Sequence, residues 1–155
     1  MPVIIRNMNK NDYAEFDALM AKLHGLHASE RPDVYLPVPH IYSEDVFRNE
    51  ILNPETHFAF CAVSDGKIVG ICTAEKRHRS MMKNMKTVYI DDVFVEESFR
   101  RCGIAKMLAE KVIYEAKIFG AERVDLTVWE FNKGAREFYE ALGFTTMRRV
   151  LEKKI

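Results

Sequence analysis

The six residues Arg100-Arg101-Cys102-Gly103-Ile104-Ala105 join a strand-like run, residues 89–95, to an amphipathic segment that begins near Gly103. Glycine allows the backbone to approach a ligand closely, and the first N–H groups of a helix have no partner inside the helix. The helix dipole adds partial positive charge at the same point. The stretch, called the cradle below, therefore predicts a strand, a loop and a helix in succession, with a pyrophosphate-binding site at the loop.

The glycine spacing in the cradle excludes two common phosphate-binding loops. A P-loop requires G-x-x-x-x-G-K-[ST] and a dinucleotide-binding fold requires G-x-G-x-x-G, and the sequence contains neither pattern. It has R-x-x-G-x-A instead, which resembles the acetyl-coenzyme A motif [QR]-x-x-G-x-[GA] of the GCN5-related N-acetyltransferases. Residues 89–95 and 132–144 resemble the other signature segments of that family in order and spacing.

The composition bounds the class of protein. A chain of 155 residues suffices for one domain, residues 1–155, whose core needs neither disulfides nor a metal. Lys plus Arg and Asp plus Glu number 23 each, so no global field favours binding to nucleic acid or to a membrane surface. Three scattered cysteines without a C-x-x-C pair, and the lack of a long apolar run, predict a cytoplasmic protein without structural zinc or a membrane span.

Hydrophobic periodicity and turn residues predict the elements of the fold. Asp65-Gly66 favours a hairpin, and Gly120 and Gly143 are placed to end helices. We expect a basic, Met-rich loop between Arg77 and Lys86, which includes Met81, Met82 and Lys83. The predicted strands are residues 3–6, 57–63, 67–77, 89–95, 123–129 and 145–153. The predicted helices begin near residues 12, 43, 103 and 133. This order predicts an α/β (α+β) fold with a mixed, mostly antiparallel central sheet and helices on both faces.

The resemblance implies a site for acetyl-coenzyme A where two central strands splay apart at a bulge. It assigns the pantetheine arm to the backbone of Val93, Phe94 and Val95. It assigns the pyrophosphate to backbone N–H groups and positive charge at Arg100, Arg101, Cys102, Gly103, Ile104, Ala105 and Lys106. Phe138 lies in the third signature segment. Asn132, at the start of that segment, is either a coenzyme contact or a helix N-cap.

The resemblance also implies the catalytic groups. Tyr139 occupies the position of a general acid that protonates the departing thiolate, and Asp91 and Asp92 are the candidate bases for the amine. Adjacent strand residues point to opposite faces unless a bulge intervenes, so we expect only one aspartate to face the substrate. His24, His27, Tyr35 and His40 fall where the family builds its acceptor pocket.

The sequence therefore predicts direct acetyl transfer, in a ternary complex, to a primary amine of a small molecule, a polyamine or a peptide. The sequence shows no Ser-His-Asp or Cys-His set of the kind that would form an acyl-enzyme intermediate. Two other hypotheses remain: a non-catalytic acyl-coenzyme A sensor or interaction module, which would lack a usable base, and a nucleotide-phosphate binder that prefers ATP. Residues 145–155 alternate polar and apolar side chains, and a strand there predicts an edge for pairing in a homodimer.

Overall fold

Among residues 2–79 and 85–155, which the computed structural model describes, five strands form one sheet whose spatial order follows the chain. The strands are β1 (Ile4–Asn7), β2 (His57–Ser64), β3 (Lys67–Arg79), β4 (Met85–Val95) and β5 (Arg123–Leu126). The helices are α1 (Tyr13–Glu30), α2 (Glu44–Val46, continued by a π-helical turn at Phe47–Ile51), α3 (Ile104–Phe119) and α4 (Lys133–Ala141). Short 3₁₀ turns at Lys10–Asp12 and Glu97–Phe99 precede α1 and the cradle.

The sheet is mixed and mostly antiparallel. The pairs β1–β2, β2–β3 and β3–β4 are antiparallel, whereas β4 and β5 run parallel. The turn between β2 and β3 contains Asp65 and Gly66 with φ of 49° and 75°. Two successive positive φ angles are typical of the tight turns that match the twist of a hairpin. The predicted hairpin and fold class are therefore confirmed.

Each face of the sheet buries its own core. The core beneath α3 includes Cys72, Val88, Ile90, Ile104, Leu108 and Val112. The core beneath α1 and α2 includes Phe16, Leu19, Met20, Phe47, Ile71 and Phe94. Burial of these side chains supplies the main driving force for folding, and it fixes one helical layer on each side of the sheet.

Helix α3 approaches β3 closely at Gly70. A β-carbon at Gly70 would lie 3.3 Å from side-chain atoms of Ile104 and Leu108 and 3.3 Å from the carbonyl oxygen of Phe94. Such distances are tighter than ordinary van der Waals contact, so a larger residue would push α3 away from the sheet. The glycine thus lets the first turn of α3, and with it the cradle, lie directly on the sheet.

The helix ends follow the local signals in the sequence. Helix α1 ends at Glu30, shortly before Pro32, and α3 ends at Gly120, where φ is 86°. Gly143 follows the end of α4 and has a φ of 91°. Within the described ranges, no helix has the length and apolar character needed to cross a bilayer.

The predicted strand at residues 145–153 is wrong. Residues 145–155 form no ladder with any strand that the structure describes. An ion pair between Arg31 Nη2 and Glu152 Oε2, 2.9 Å apart, draws this tail toward the end of α1. A strand requires a paired neighbour, and none of the described strands pairs with the tail. We call residues 145–155 the C-terminal tail.

Three other boundaries differ from prediction. β3 extends to Arg79 and β4 begins at Met85, so the two central strands are longer than predicted. The predicted loop residues Met81, Met82 and Lys83 lie outside the described residues. β5 ends at Leu126 rather than at residue 129. Beyond it the Thr127 hydroxyl accepts a hydrogen bond from the Tyr89 hydroxyl of β4, and the Trp129 indole N–H donates to the Tyr35 hydroxyl in the segment after α1.

Candidate active site

A β-bulge at Asp91 organises the centre of β4. Thr73 of β3 pairs with Asp92, whereas Ala74 pairs with Ile90, so Asp91 is the extra residue. The bulge reverses the alternation of side chains along the strand: Ile90 packs in the core beneath α3, and Phe94 packs in the core beneath α1. Asp91 and Asp92 consequently lie on the same face of the sheet, the α1 face. We expected only one aspartate to face the substrate, but the bulge places both on the α1 face.

Asp92 is a half-buried and anchored carboxylate. Its Oδ2 atom accepts a hydrogen bond from the Thr73 hydroxyl at 2.9 Å and another from the Tyr42 hydroxyl at 3.2 Å. Burial raises the pKa of Asp92, and these two hydrogen bonds oppose that rise. Two donors on one oxygen favour the ionised form and fix the direction of the carboxylate.

Asp91 is more accessible than its neighbour. Desolvation by the surrounding protein, followed by the negative charges of Asp92 and Glu75, raises the pKa of Asp91 to about 7, while Arg77 opposes the rise. The guanidinium of Arg77 contacts Glu75 at 3.1 Å and lies 4.1 Å from the centroid of the Tyr89 ring. A carboxylate that titrates near neutral pH is suited to accept a proton.

Tyr139 lies on α4 in an aromatic and electronegative setting. Its ring contacts Phe138 and Phe144 at centroid distances of 5.0 and 5.5 Å. Burial raises the pKa of Tyr139, and the nearby negative charge of Asp92 raises it further. The phenol therefore stays protonated at neutral pH and can only donate a proton or a hydrogen bond there. The charge of Asp92 on β4 therefore acts on a side chain of α4.

The cradle has the backbone geometry of an anion-binding turn. Gly103 is the N-terminal flanking residue of α3 with a φ of 80°, and Arg101 has a φ of 61°, which is uncommon for a residue with a side chain. A β-carbon at Gly103 would meet no described atom within 4 Å. None of the described side chains caps the first N–H groups of α3. Free N–H groups facing open space at a helix N-terminus suit a phosphate.

Side chains contribute less to the cradle than its backbone does. The Arg100 guanidinium donates to the Val95 carbonyl oxygen at 3.0 Å and lies 5.5 Å from the centroid of the Phe94 ring, so it braces the turn. Lys106 faces Glu110 at 3.8 Å on the exposed side of α3. Ile104 is buried in the core, Ala105 is half-buried and Cys102 is exposed.

The two parallel strands separate beside this site. The β4–β5 pairing runs from Thr87 opposite Arg123 to Ile90 opposite Leu126, and β4 then continues to Val95 against β3. The backbone of β4 that faces β5 thus has no partner strand, among the described residues, beyond Ile90. This gap includes the predicted residues Val93, Phe94 and Val95. The separation is the splayed arrangement that the resemblance implies.

Helix α4 begins at Asn132, which acts as its N-cap. The Asn132 side-chain oxygen accepts a hydrogen bond from the Ala135 N–H at 3.1 Å. The N-cap alternative is therefore the one that the structure contains, and the amide nitrogen of Asn132 is the part of the side chain that could still contact a ligand. The neighbouring predicted residue, Phe138, is half-buried.

An aromatic cluster forms a wall where α1 and the segment after it meet the chain beyond β5. The Trp129 indole N–H donates to the Tyr35 hydroxyl at 2.6 Å, and the Tyr35 ring stacks on His27 at 5.5 Å between centroids. Tyr35 also contacts the His24 ring at 5.4 Å. His40 is not part of this wall, because it bonds to Asp17 on the exposed side of α1.

Tyr42 and Thr73 were missed by the sequence analysis. Tyr42 precedes α2 and reaches Asp92 across 50 positions of the chain, a contact that no local pattern signals. Thr73 gave one signal, since it is a hydroxyl in an otherwise apolar run of β3, and it is buried. A buried hydroxyl requires a partner, so a polar neighbour could have been inferred.

Comparison with known proteins identifies the family. Residues 21–144 match the model of the acetyltransferase (GNAT) family, and the chain belongs to that family. The chain is 34% identical over 140 residues to an uncharacterised N-acetyltransferase of Methanocaldococcus jannaschii, a match that covers 90% of this chain and 59% of the relative. The chain thus spans less than two thirds of that relative's length.

Solved structures share the fold over nearly the whole chain. The BH1408 protein of Bacillus halodurans, in a mutant form, is 27% identical, with a TM-score of 0.93 and coverage of 98% of this chain and 99% of that one. AAC(6')-Iy, an aminoglycoside N-acetyltransferase, superposes in its complex with the bisubstrate analogue CoA-S-monomethyl-acetylneamine with a TM-score of 0.75 at 24% identity. That match covers 100% of this chain and 99% of AAC(6')-Iy, and it supports the fold.

Proposed function

We propose that the protein transfers an acetyl group from acetyl-coenzyme A directly to a primary amine in a ternary complex. The observation that carries this proposal is the bulge in β4. It turns Asp91 and Asp92 to one face at the point where β5 leaves β4, a few residues before the cradle. One short segment therefore combines groups for proton transfer, exposed backbone and an anion-binding turn.

Acetyl-coenzyme A is the co-substrate that these residues fit. The uncapped N–H groups at the start of α3 suit its pyrophosphate, and the gap between β4 and β5 suits its extended pantetheine arm. The open space above Gly103 leaves room for phosphate oxygens. The coenzyme complex of the structural neighbour AAC(6')-Iy supports this assignment. Acetyl-coenzyme A would supply the activated acetyl thioester.

Asp91 is the proposed base. An alkylamine with a pKa near that of lysine, about 10.4, is mostly protonated at neutral pH and must lose a proton before it attacks. Asp91, with a pKa of about 7, can accept that proton directly or through a water molecule. The nitrogen then forms a bond to the acetyl carbon, the bond between that carbon and sulfur breaks, and the nitrogen gives up its second proton, which Tyr139 relays to the sulfur. The negative charge of Asp92 raises the pKa of the neighbouring Asp91 and so keeps the Asp91 carboxylate basic.

Tyr139 is the proposed donor to the leaving group. Its phenol remains protonated because burial and nearby negative charge raise its pKa. Full proton transfer from such a phenol to a thiolate, whose pKa is about 8.5, is uphill. We therefore assign Tyr139 a hydrogen bond to the developing thiolate, and its phenol gives a proton to the departing sulfur only as it regains one from the attacking nitrogen, so that no free phenolate forms.

The acceptor that we propose is a small molecule with at least one primary amine. Asp91 and Glu75 supply negative charge at the cleft, and Tyr35 and Trp129 supply aromatic faces on its other side. Ammonium groups are attracted to both kinds of surface. A polyamine or an amino sugar meets these requirements better than a peptide whose amine is flanked by bulky side chains.

A thiol-release assay with acetyl-coenzyme A and a panel of polyamines, aminoglycosides, amino acids and short peptides tests the proposal. Saturable release with one class of amine is the expected result. Calorimetry of coenzyme A binding accompanies the assay. Tight binding without release by any amine would contradict the enzyme and favour the sensor hypothesis, whereas tighter binding of ATP than of coenzyme A would favour the nucleotide-binding hypothesis.

We also propose a homodimer that pairs through the C-terminal tail. Val150 and Leu151 in the tail are 87% and 89% exposed. A groove of about 630 Å³ lies beside the outer edge of β5 and includes Val124 and Phe144 in its lining. An open strand edge and an extended apolar segment complement each other across two copies. Light scattering should give a dimer for the full chain and a monomer after deletion of residues 145–155; a monomeric full chain would refute the dimer.

Two further proposals concern the domain organisation and the cellular location of the protein. We propose that residues 1–155 form one domain, because the sheet and its two cores combine elements from residue 3 to residue 126 in one unit. We propose a cytoplasmic location, because Cys61 and Cys72 are buried free thiols, which a reducing compartment preserves. Limited proteolysis and cell fractionation test these two statements.

A further inference from the structure

Tyr42 connects the core beneath α1 to the polar centre of β4. Its ring stacks on Phe16 with centroids 6.0 Å apart, and its carbonyl oxygen accepts a hydrogen bond from the Tyr13 hydroxyl at 2.8 Å. Its own hydroxyl donates to Asp92 Oδ2 at 3.2 Å. The phenol is therefore held at both ends, by packing on one side and by a carboxylate on the other.

Thr73 supplies a second donor to the same oxygen of Asp92, at 2.9 Å. The two donors come from different elements, since Thr73 lies on β3 and Tyr42 lies in the segment before α2. A half-buried carboxylate that receives two hydrogen bonds on one oxygen has little freedom to rotate and is stabilised in its charged form. Asp92 thus differs from Asp91, which is open to the cleft.

We infer that Tyr42 and Thr73 are positioning residues that hold Asp92 ionised and oriented beside Asp91, so that the two carboxylates work as one proton-accepting unit. This role rests on the proposed acetyltransferase function. Neither residue touches the reacting atoms in this account. Both act through Asp92, whose charge keeps the neighbouring Asp91 basic enough to take a proton from the amine.

The groups that face the carboxylate pair come from three elements besides β4. The titratable or charged ones are Glu75 and Arg77 on β3, Tyr139 on α4, and Tyr42 before α2, whereas Cys72 on β3 points to the opposite face, into the core beneath α3. Burial and the charges of both aspartates raise the pKa of Tyr42, so its hydroxyl remains a donor while the carboxylates titrate. Loss of a donor makes ionisation of Asp92 harder and moves the titration of Asp92 to higher pH.

Two variants and two matched controls test the inference. Tyr42→Phe and Thr73→Val each remove one donor to Asp92. Tyr13→Phe removes a hydroxyl that bonds only to the Tyr42 carbonyl, and Thr73→Ser keeps the hydroxyl on β3. The carboxylates are titrated directly by ¹³C NMR of Asp-labelled protein, and the pH dependence of kcat/KM is measured with the best amine.

Both readouts should change in the variants. In Tyr42→Phe and Thr73→Val the titration of Asp92 should rise by about one pH unit, which corresponds to one charged hydrogen bond. An Asp92 that stays protonated to higher pH raises the pKa of Asp91 less, so the acid limb of kcat/KM should move to lower pH. The two controls should titrate like the wild type.

Three outcomes would contradict specific parts of the account. Unchanged carboxylate titration in both variants would overturn the positioning role. Shifted titration with an unchanged kcat/KM profile would overturn the link to catalysis. Absence of turnover by the wild type with every amine would overturn the proposed function, while the NMR titration would still decide whether the donors hold Asp92. If Tyr42→Phe does not fold, the Thr73→Val and Thr73→Ser pair carries the test.

Discussion

Asp91 and Asp92 are consecutive residues of β4 that face the same side of the sheet. The bulge between the Thr73 and Ala74 pairings makes this possible, because it inserts one residue into the alternation of the strand. Two adjacent carboxylates repel each other, and the pKa of Asp91 rises to about 7 while hydrogen bonds anchor Asp92. Environments that separate the roles of two carboxylates are typical of acid–base sites.

Neutralising Glu75 and neutralising Arg77, the two charges that flank Asp91, should move the pH profile of kcat/KM in opposite directions. Glu75 raises the pKa of Asp91 and Arg77 lowers it. Glu75→Gln should therefore shift the acid limb of kcat/KM to lower pH, and Arg77→Gln should shift it to higher pH. The site is partly exposed, so each shift should amount to about half a unit. Shifts of the same sign in both variants would show that another group controls the limb.

Asp91→Asn should stabilise the folded protein above neutral pH. The folded protein holds the Asp91 proton more tightly than the unfolded chain does, so its stability falls as pH rises from about 4 to about 7. Removing the charge abolishes that loss and should raise the free energy of unfolding at about pH 8 by about 1 kcal/mol, a value reduced for exposure.

Urea unfolding near pH 4 and near pH 8 checks this prediction. The difference between Asp91→Asn and the wild type should vanish at the lower pH, where both side chains are neutral. Asp125→Asn on β5 controls for the loss of one negative charge elsewhere in the sheet. A variant less stable than the wild type near pH 8 would show that the Asp91 carboxylate forms a stabilising contact.

Tyr139→Phe should slow the chemical step without weakening coenzyme binding. The substitution removes only the hydroxyl and keeps the ring contacts with Phe138 and Phe144. We expect kcat to fall about 100-fold, the usual effect of losing a proton donor, with an unchanged Kd for coenzyme A. Tyr114→Phe, an exposed position on α3, is the control. A loss of coenzyme affinity with unchanged kcat would instead assign Tyr139 to binding.

Gly103→Ala should weaken coenzyme A binding and destabilise the cradle. The φ of 80° at Gly103 costs a residue with a β-carbon about 1 kcal/mol, and the added methyl group would enter the open space where phosphates bind. We expect about a tenfold rise in the Kd for coenzyme A, measured by calorimetry. Gly134→Ala within α4 is the control, and it should raise stability by about 0.5–1 kcal/mol. If Gly103→Ala binds coenzyme A with wild-type affinity, the cradle is not the coenzyme-binding site.

Local signals explain the parts of the fold that the sequence predicts well. The positive φ angles at Gly66, Gly103 and Gly120 belong to turns and helix ends, where glycine itself specifies the conformation. The cradle was therefore recognisable from a few neighbouring residues. The layers on both faces of the sheet followed from periodicity, since each helix carries one apolar stripe.

The remaining features depend on contacts between distant parts of the chain. The bulge at Asp91 arises from the register of β3 against β4, which the side-chain pattern of β4 alone does not specify. The contact of Tyr42 with Asp92 forms only when α1 and α2 pack on the sheet. The C-terminal tail has a strand-like pattern, but its Glu152 pairs with Arg31 instead of extending the sheet.

The most direct test of the central claim is a parallel measurement of the thiol released and the amide formed, by wild type and by Asp91→Asn, with one amine at about pH 7. We predict equal amounts of thiol and acetylated amine for the wild type. For Asp91→Asn we predict a rate at least about 100-fold lower with unchanged coenzyme A affinity. Thiol release without amide, or an undiminished rate in Asp91→Asn, would contradict direct transfer with Asp91 as the base.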